Sequence, residues 1–595
     1  MKTKSWLIVA ALLAAPGAYP AEPPDPVAQA AKVDFRWGVK IPLRDGVRLN
    51  ATVYTPRDQQ APAPCLFTLT PYISASYHDR GVYFAAHGYP FLTVDVRGRG
   101  NSEGEFRPLI QEAEDGHDVV EWLATQPYCN GKVSMWGGSY AGYNQWATAK
   151  EFPPHLATIV PVASPYASVD FPGRNNIFYP YDMQWLNFTS GQTGQVAIFG
   201  DEAFWKSRYR RWYQAGAAFK DFDTMFGQPS SIFQEWIAHP HQDAYWDSYN
   251  PSAGQYGRLE IPILTITGSY DGDQPGALRH YSEYMKNATP EGRSRHFLVI
   301  GPWDHAGTRT PRAEVGGLTF GPASLVDLPK LHLDWYAWTM QGGERPEFLK
   351  KNVAWYVMGA ERWRYADTLE AVTDEQRAFY LDSAGNADDV FASGSLGSAT
   401  GRGKPDSYRY DPRDRSPAEI ESAVSPESLT DQRLVYAQGG KQLVYHSSPF
   451  EEDTEISGFF KLSAWIAIDQ PDTDFAASVY EIEADGRSIL LTTDLLRARY
   501  RESFREPKLI TTKSPLRYDF GRFMFVSRQV SRGSRLRLVI APINSMYQQK
   551  NYNSGGDVSG ETIEDARTVT VTLFHDRERP SALYVPLARP EAQGE

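Results

Sequence analysis

The chain has 595 residues, with 60 Lys plus Arg against 72 Asp plus Glu, and its net charge at pH 7 is therefore −12. Nucleic acid and anionic membranes favour basic surfaces, so neither is expected as the main partner. Because 42% of the residues are hydrophobic, the chain can bury large cores, which excludes a disordered or fibrous protein.

Residues 1–21 predict a cleaved secretory signal peptide. Lys2 and Lys4 precede an apolar run over residues 6–15, which ends at Pro16. Such a run is too short to cross a bilayer core about 30 Å thick, and no later run is long enough either. We therefore expect a periplasmic or secreted protein that has no membrane contact after signal cleavage.

The next segments alternate short β-branched runs with helix-length stretches, as an α/β sheet requires. Several strand candidates are almost entirely apolar, which is typical of parallel strands covered on both faces. The pattern predicts an α/β domain with a mostly parallel sheet over residues 22–168 and 256–345. The strand candidates are residues 47–54, 65–70, 91–96, 132–136, 158–162, 263–267 and 297–300, and the helix candidates are residues 112–125, 140–150, 276–286 and 331–340.

The alternation stops at residues 169–255, which are rich in aromatic residues and contain no clear strand. We interpret this segment as a helical cap over the C-terminal edge of the sheet, where ligands bind in such folds. Many short strands without intervening helices then predict a C-terminal jelly-roll β-sandwich over residues 346–595. Its strand candidates are residues 353–357, 378–381, 442–445, 455–465, 475–482, 488–491, 536–541 and 568–574.

Cys65 and Cys129 are too few for a disulfide scaffold or a Cys-rich metal site. Cys65 begins one strand candidate and Cys129 lies three residues before another. The two strands should be neighbours, and Cα atoms within about 7 Å could be bridged. An oxidising compartment would permit one disulfide, and two buried free thiols are the alternative.

The strongest local signal is a strand that runs through Gly137-Gly138-Ser139 into a helix that begins at Tyr140. This is the pattern of a nucleophile elbow, in which glycines flank the serine because the turn packs strand against helix. The spacing Gly-x-Ser-x-x-Gly departs from the commoner Gly-x-Ser-x-Gly. A serine that only caps a helix after a Gly-rich turn would give the same match.

A catalytic serine needs a base, and the base needs an orienting acid, which in this fold follow the serine in the order acid, then histidine. Asp271 is the first acid after the strand candidate at residues 263–267. Of the 12 histidines, only His305 lies just past a buried strand candidate downstream of a matching acid. We therefore predict Ser139 as nucleophile, His305 as base and Asp271 as orienting acid.

The negative charge that develops on the attacked carbonyl needs hydrogen-bond donors. One should be the backbone amide of Tyr140, which follows the nucleophile. The loop after residues 65–70 reads Thr70-Pro71-Tyr72 and lacks the usual His-Gly pair, so the Tyr72 hydroxyl is the candidate for the second donor. A packing role is the alternative for Tyr72.

With these motifs the sequence resembles the cocaine-esterase-like and X-Pro-dipeptidyl-peptidase-like serine acyl hydrolases, nearest to the α-amino-acid ester hydrolase and glutaryl-cephalosporin acylase branch. The resemblance implies an α/β-hydrolase fold with a helical cap and a C-terminal jelly roll. It implies Ser139, Asp271 and His305 as the catalytic triad. It also implies the Tyr72 hydroxyl and the Tyr140 amide as the oxyanion donors. The motifs that carry it are residues 70–72, 95–100 with 102–104, 137–142, 270–272, 301–305, 471–475, 497–501 and 551–556.

The α-amino-acid ester hydrolase branch carries carboxylates that hold the α-ammonium group of the substrate, two of them just after the triad acid. Here those two positions read Asp273 and Gln274, so they are the candidate substrate-binding residues and only one is an acid. The third should fall near residues 171–176, where no acid occurs, and Asp170 is the only acid nearby. We therefore expect only a modest preference for α-amino acyl groups.

The leading prediction is an exported serine hydrolase that cleaves ester or amide bonds of a small molecule or peptide through an acyl-enzyme, without a metal or organic cofactor. An X-Pro dipeptidyl-peptidase-type peptidase and a β-lactam acylase are alternatives among enzymes. A non-catalytic carbohydrate- or peptide-binding protein is the alternative from another class, and the complete triad order argues against it. The acyl group, the leaving group and a homo-oligomeric state remain open.

Overall fold

The first sheet is a mixed sheet whose central strands are parallel and whose edge strands are antiparallel. The computed structural model describes residues 25–588, so the predicted signal peptide lies outside the described residues. Within that range ten strands form this sheet. In spatial order they are Val33–Pro42, Arg48–Pro56, Phe91–Asp95, Ala63–Thr70, Cys129–Gly138, Leu156–Val162, Ile263–Tyr270, His296–Asp304, Val353–Val357 and Arg362–Ala366.

The parallel strands are buried on both faces, which explains why they read as apolar runs in the sequence. The α/β sheet predicted from that pattern is confirmed, and so is the α/β-hydrolase fold that the resemblance implies. Helices cover the two faces, and no helix among residues 25–588 is both long and apolar enough to span a membrane. The helices of this part are Pro26–Ala30, His78–Ala86, Glu112–Ala124, Tyr140–Ala149, Gln274–Asn287, Pro290–Ser294 and Leu328–Gln341, with short 3-10 turns at Ser74–Tyr77 and Pro322–Ser324 and a two-stranded hairpin at Glu314–Val315 and Leu318–Thr319.

One strand lies in a different sheet from the one that the sequence predicted. Val353–Val357 was assigned to the sandwich, but it pairs in parallel with His296–Asp304 in the first sheet. All five of its residues are buried, as expected of an inner parallel strand. Arg362–Ala366 then pairs with it antiparallel and closes that edge.

The segment between Leu156–Val162 and Ile263–Tyr270 is mostly helical, as predicted. Its aromatic side chains form one buried cluster that also includes Tyr140 and Tyr143 of the helix after Ser139. This contact places the segment directly over the predicted nucleophile. Its helices are Tyr181–Phe188, Val196–Phe199, Glu202–Ala215, Phe222–Met225, Ser231–Ile237, Ala244–Asp247 and Ala253–Arg258, with a 3-10 turn at Phe219–Asp221 and short strands at Gly173–Arg174 and Ile177–Phe178.

The C-terminal part is a β-rich domain, as predicted, with 13 mostly antiparallel strands among the described residues. Strands such as Val569–Phe574 alternate buried and half-buried residues, because one face packs on the domain core. The strands are Glu375–Asp382, Gly394–Gly397, Asp406–Tyr410, Leu443–Ser447, Thr454–Gly458, Lys461–Ile468, Asp474–Ile482, Ser488–Arg497, Leu516–Phe520, Val526–Val530, Arg535–Pro542, Val569–Phe574 and Ala582–Leu587, with helices at Pro417–Ala423 and Arg433–Ala437 and 3-10 turns at Glu370–Val372, Ala498–Tyr500 and Ile563–Asp565.

The two cysteines lie at the same end of neighbouring parallel strands. Ala63 pairs with Cys129, and Cys65 pairs with Val133. Both thiols are buried and free in this structure. The alternative of two buried free thiols is therefore the one that the structure adopts.

Candidate active site

Ser139 lies at a sharp turn between the strand Cys129–Gly138 and the helix Tyr140–Ala149. Its backbone has φ 61° and ψ −129°, a conformation that residues other than glycine rarely adopt. A Cβ on Gly137 would come within 2.5 Å of the Ala141 Cβ, and one on Gly142 would overlap the carbonyl oxygen of Val162. The turn therefore has the backbone geometry of the nucleophile elbow that the glycine spacing predicts.

The elbow is held by hydrogen bonds to the neighbouring strands. The Ser139 N–H donates to the Val162 carbonyl at 3.0 Å, and the Ser139 carbonyl accepts from the N–H groups of Gly142 and Tyr143. The Asn144 side chain donates to the Leu69 carbonyl at 2.8 Å. These bonds fix the first turn of the helix, whose N–H groups have no acceptor within the helix itself. The Tyr140 amide belongs to this turn.

Tyr72 contacts the predicted nucleophile directly. Its hydroxyl oxygen lies 3.4 Å from the Ser139 Oγ, and it accepts a hydrogen bond from the Trp185 indole N–H at 3.2 Å. Burial raises the pKa of Tyr72 to about 12, so the hydroxyl keeps its proton at neutral pH. Because Trp185 acts as donor to this oxygen, the hydroxyl hydrogen is free to point towards Ser139.

Asp271 and His305 form a close pair at the ends of two adjacent parallel strands. The Asp271 Oδ1 lies 2.7 Å from the His305 Nδ1, and the carboxylate is fully buried. It also accepts hydrogen bonds from the Thr267 hydroxyl at 2.9 Å and from the Asp273 N–H at 3.0 Å. These contacts fix the carboxylate against one nitrogen of the ring and leave the Nε2 for another partner.

Opposing effects set the proton affinity of this pair. Burial disfavours the charged imidazolium, but the negative charges of Asp273 and Asp271 outweigh it, so the pKa of His305 is raised. The positive charge of Arg309 acts in the opposite direction. Burial also disfavours the Asp271 carboxylate, but attraction to His305 prevails and lowers the pKa of Asp271.

Arg309 is a charged neighbour of both the turn at Ser139 and the Asp271–His305 pair. A Cβ on Gly138, the residue before Ser139, would lie 2.7 Å from a guanidinium nitrogen of Arg309, whose charge also acts on His305. Within residues 25–588 no hydrogen bond joins Ser139 to His305. Catalytic hydrogen bonds are often long in enzymes without substrate, so this gap is compatible with the roles predicted for these residues.

Asp273 lies between His305 and a cavity of about 580 Å³. Its Oδ2 is 3.8 Å from the His305 Nδ1. Burial, together with the charges of Asp170 and Asp271, raises the pKa of Asp273 well above its usual range. The cavity is lined by residues from all three parts of the chain, among them Asp170, Asp273, Tyr179, Tyr181, Gln184, Trp205, Tyr209, Glu427 and Tyr547.

Asp170 is a residue of this site to which the sequence analysis assigned no role. Its carboxylate accepts hydrogen bonds from the N–H groups of Tyr166 at 2.9 Å and Gly276 at 2.5 Å, and it lines the same cavity as Asp273. Burial raises the pKa of Asp170 well above its usual range. The one signal in the sequence that could have pointed to Asp170 is its position at the start of the helical insertion, because that insertion covers the end of the sheet.

Gln274 does not have the position that its predicted role requires, and that prediction is wrong. Its side chain is fully buried, donates to the carbonyls of Gly268 and Phe525 at 3.0 Å, and accepts from the Phe525 N–H at 2.6 Å. All its polar atoms are therefore used to join the sheet to the β-rich domain, away from the cavity. Arg174 and Asn175 likewise bond to the carbonyls of Thr493 and Leu495 in that domain.

Two family profiles match this chain. The profile described as "X-Pro dipeptidyl-peptidase (S15 family)" matches residues 45–307, and the one described as "X-Pro dipeptidyl-peptidase C-terminal non-catalytic domain" matches residues 348–583. Together they cover both the sheet that carries the site and the β-rich domain.

Relatives that match over nearly the whole chain agree with these two profiles. The chain is 26% identical over 588 residues to the cocaine esterase of Rhodococcus sp. strain MB1 Bresler. The matched region covers 93% of this chain and 98% of that protein. Two solved structures match with a TM-score of 0.80 and 20% identity. One is an α-amino acid ester hydrolase, covering 96% of this chain and 100% of that one. The other is an aminopeptidase from a marine sediment archaeon, Thaumarchaeota archaeon, covering 97% and 99%.

Proposed function

The chain belongs to the family of cocaine-esterase-type and X-Pro dipeptidyl-peptidase-type hydrolases, and we propose that it cleaves ester or amide bonds through an acyl-enzyme on Ser139. The observation that supports this best is the position of Ser139 at the tip of the elbow, 3.4 Å from the Tyr72 hydroxyl. The close Asp271–His305 pair supplies a base with its orienting acid.

In the proposed reaction the Ser139 Oγ forms a bond to the carbonyl carbon of the substrate, and its proton passes to the His305 Nε2. The Tyr72 hydroxyl and the Tyr140 amide donate to the oxyanion that results. His305 then gives the proton to the leaving group as its bond breaks. Water, deprotonated by the same imidazole, releases the acid product from Ser139.

The substrate is proposed to be a small ester or amide whose acyl group occupies the cavity beside Asp273. Asp170 and Asp273 both line that cavity, and each has a raised pKa because burial and neighbouring acids disfavour its charge. An ammonium group on the substrate would relieve that repulsion, which favours α-amino acyl esters over their desamino analogues. The helical segment over the site would exclude water from this cavity.

Replacement of the nucleophile tests the proposal. We expect Ser139→Ala to lose nearly all hydrolysis of aryl esters and to keep the unfolding temperature, because alanine fits where serine does. Ser76→Ala, an exposed serine in the turn Ser74–Tyr77, is the control and should keep the wild-type kcat/KM. Turnover by Ser139→Ala close to the wild-type rate would refute the assignment.

Export is a separate part of the proposal. Lys2 and Lys4 followed by the apolar run over residues 6–15 support a signal that is removed from the mature chain. N-terminal sequencing of protein from the periplasmic or culture fraction tests it. A mature chain that still begins at Met1 would contradict it.

A further inference from the structure

Two arginines, Arg80 and Arg309, lie beside the end of the strand that leads to Ser139. The Arg309 side chain runs along the backbone of Gly138, with its guanidinium 2.7 Å and its Cδ 2.8 Å from where a Cβ of that glycine would be. Arg80 lies on the helix His78–Ala86, with its guanidinium 3.4 Å from the Thr310 Oγ1. Its guanidinium also lies 5.5 Å from the centre of the Trp136 ring.

These two guanidinium groups are short of negative charge. Within residues 25–588 no carboxylate lies at ion-pair distance from either of them. Burial lowers the pKa of Arg80, and the like charge of Arg309 acts in the same direction. Asp79, Asp327 and the Tyr83 hydroxyl face Arg80 and favour its charge, but they do not offset the cost of burial.

Both side chains nevertheless remain reachable from solvent. Arg80 and Arg309 are half-buried, and Thr310 between them is exposed. Removing two like charges from water without an anion is costly, whereas a bound carboxylate can accept paired hydrogen bonds from a planar guanidinium. Arginine suits that geometry better than lysine does.

We propose that Arg80 and Arg309, with the Thr310 hydroxyl, form a subsite that binds a carboxylate group of the substrate beside Ser139. The inference rests on the proposed serine hydrolase function, because it places that anion next to the scissile bond. Asp273 and Arg309 act with opposite sign on His305, so the site carries both an acidic and a basic group near this histidine. The preferred ester would then carry a carboxylate in addition to the scissile bond.

Matched ester pairs test this and report which half of the substrate carries the anion. Para-nitrophenyl hydrogen glutarate against para-nitrophenyl valerate places the charge in the acyl group. Meta-acetoxybenzoate against phenyl acetate places it in the leaving group. In one of the two pairs we expect a higher kcat/KM for the charged ester. Raising the salt concentration should remove that preference, mainly by raising the KM of the charged ester.

Variants connect that preference to the two arginines. Arg80→Met and Arg309→Met should each lower the charged-to-neutral ratio of kcat/KM by about tenfold, and Arg309→Lys by less, since a charge-assisted bond is lost. Arg402→Met removes an exposed arginine of the β-rich domain and should leave the ratio at the wild-type value. A ratio within twofold of wild type in both methionine variants would overturn the proposal.

Binding without turnover keeps the two proposals distinguishable. In Ser139→Ala, calorimetry with meta-acetoxybenzoate and with glutarate should show binding that weakens about tenfold when Arg309→Met is added. If the wild-type protein hydrolysed no ester but this binding loss were observed, the proposed function would fail and the subsite would stand. Equal binding by both proteins, with ester hydrolysis intact, would reject the subsite alone.

Discussion

His305 is surrounded by charges of both signs, and their balance sets the pH at which its imidazole loses its charge. Asp273 and Asp271 raise its pKa against the effect of burial, while Arg309 opposes them. The proposed mechanism needs the neutral imidazole, so activity should rise with pH through the pKa of His305. The sign of each neighbouring charge therefore determines the direction in which it shifts the pH profile of activity.

Asp273→Asn removes a carboxylate whose negative charge, in the ionised form, favours the imidazolium of His305. We expect the acidic limb of kcat/KM to move to lower pH, because the neutral base is then populated earlier on titration upwards. The pH dependence of kcat/KM on a neutral aryl ester, measured beside Glu578→Gln as a control at an exposed acid of the β-rich domain, gives the shift. A move to higher pH would contradict the electrostatic assignment.

Tyr72→Phe removes only the hydroxyl that contacts Ser139. We expect kcat to fall by about 10²–10³-fold, the usual loss for one oxyanion donor, with a smaller change in KM. Tyr89→Phe, whose hydroxyl bonds to Gln341 far from the site, is the matched control and should keep the wild-type kcat. An unchanged turnover number for Tyr72→Phe would mean that the ring only packs.

At the scale of the element, the strand–turn–helix unit depends on close backbone approach. A Cβ on Gly142 would overlap the Val162 carbonyl oxygen, which belongs to the neighbouring strand. We expect Gly142→Ala to lower the free energy of unfolding by about 1–3 kcal/mol through overpacking, and to lower kcat as Ser139 shifts.

The control for that substitution is another helical glycine. Gly254, in the helix Ala253–Arg258, has open space where a Cβ would be, so Gly254→Ala should raise stability by roughly 0.5–1 kcal/mol. Urea unfolding monitored by circular dichroism measures both changes. Equal effects of the two substitutions would contradict the close contact at the elbow.

Elements that the sequence predicted well are those whose environment is uniform along their length. The inner parallel strands are buried on both faces, so their apolar runs were recognisable without any knowledge of the partners. The edge strands Val33–Pro42 and Arg362–Ala366 were missed, because most of their residues are exposed or half-buried, so apolar and polar side chains follow no regular burial pattern. Exposed edges do not impose an apolar pattern.

The site could be predicted only in part, for a related reason. Ser139, Asp271 and His305 follow strands in a fixed order, so local patterns pointed to them. Asp170 has no such pattern, and its importance depends on a cavity that the insertion builds around it. Gln274 was misjudged because its sequence position next to Asp273 does not reveal that its amide faces the β-rich domain.

At the scale of the whole molecule, Gln274 ties the loop that carries Asp271 and Asp273 to the β-rich domain. Gln274→Leu would leave the Phe525 N–H and carbonyl unpaired in a buried place. We expect a loss of about 1–3 kcal/mol in the free energy of unfolding, together with a lower kcat/KM as the loop loosens.

The exposed Gln60 provides the control for this substitution. Gln60→Leu removes only a local hydrogen bond to the Asp58 carbonyl, so stability should change by less than about 0.5 kcal/mol. Chemical denaturation and ester kinetics on both variants measure the two effects. Wild-type stability in Gln274→Leu would mean that the two domains do not depend on this link.

The wall of the cavity beside Asp273 has an evolutionary consequence. Ser425, Pro426 and Glu427 reach it from a loop of the β-rich domain, a part of the chain that supplies none of the proposed reacting groups. Exchange of that loop would reshape the space for the acyl group while the elbow, the base and its acid stayed unchanged. Lineages that share one catalytic body could thus diverge in substrate range through their accessory domain alone, and the same loop is a natural place to begin directed evolution.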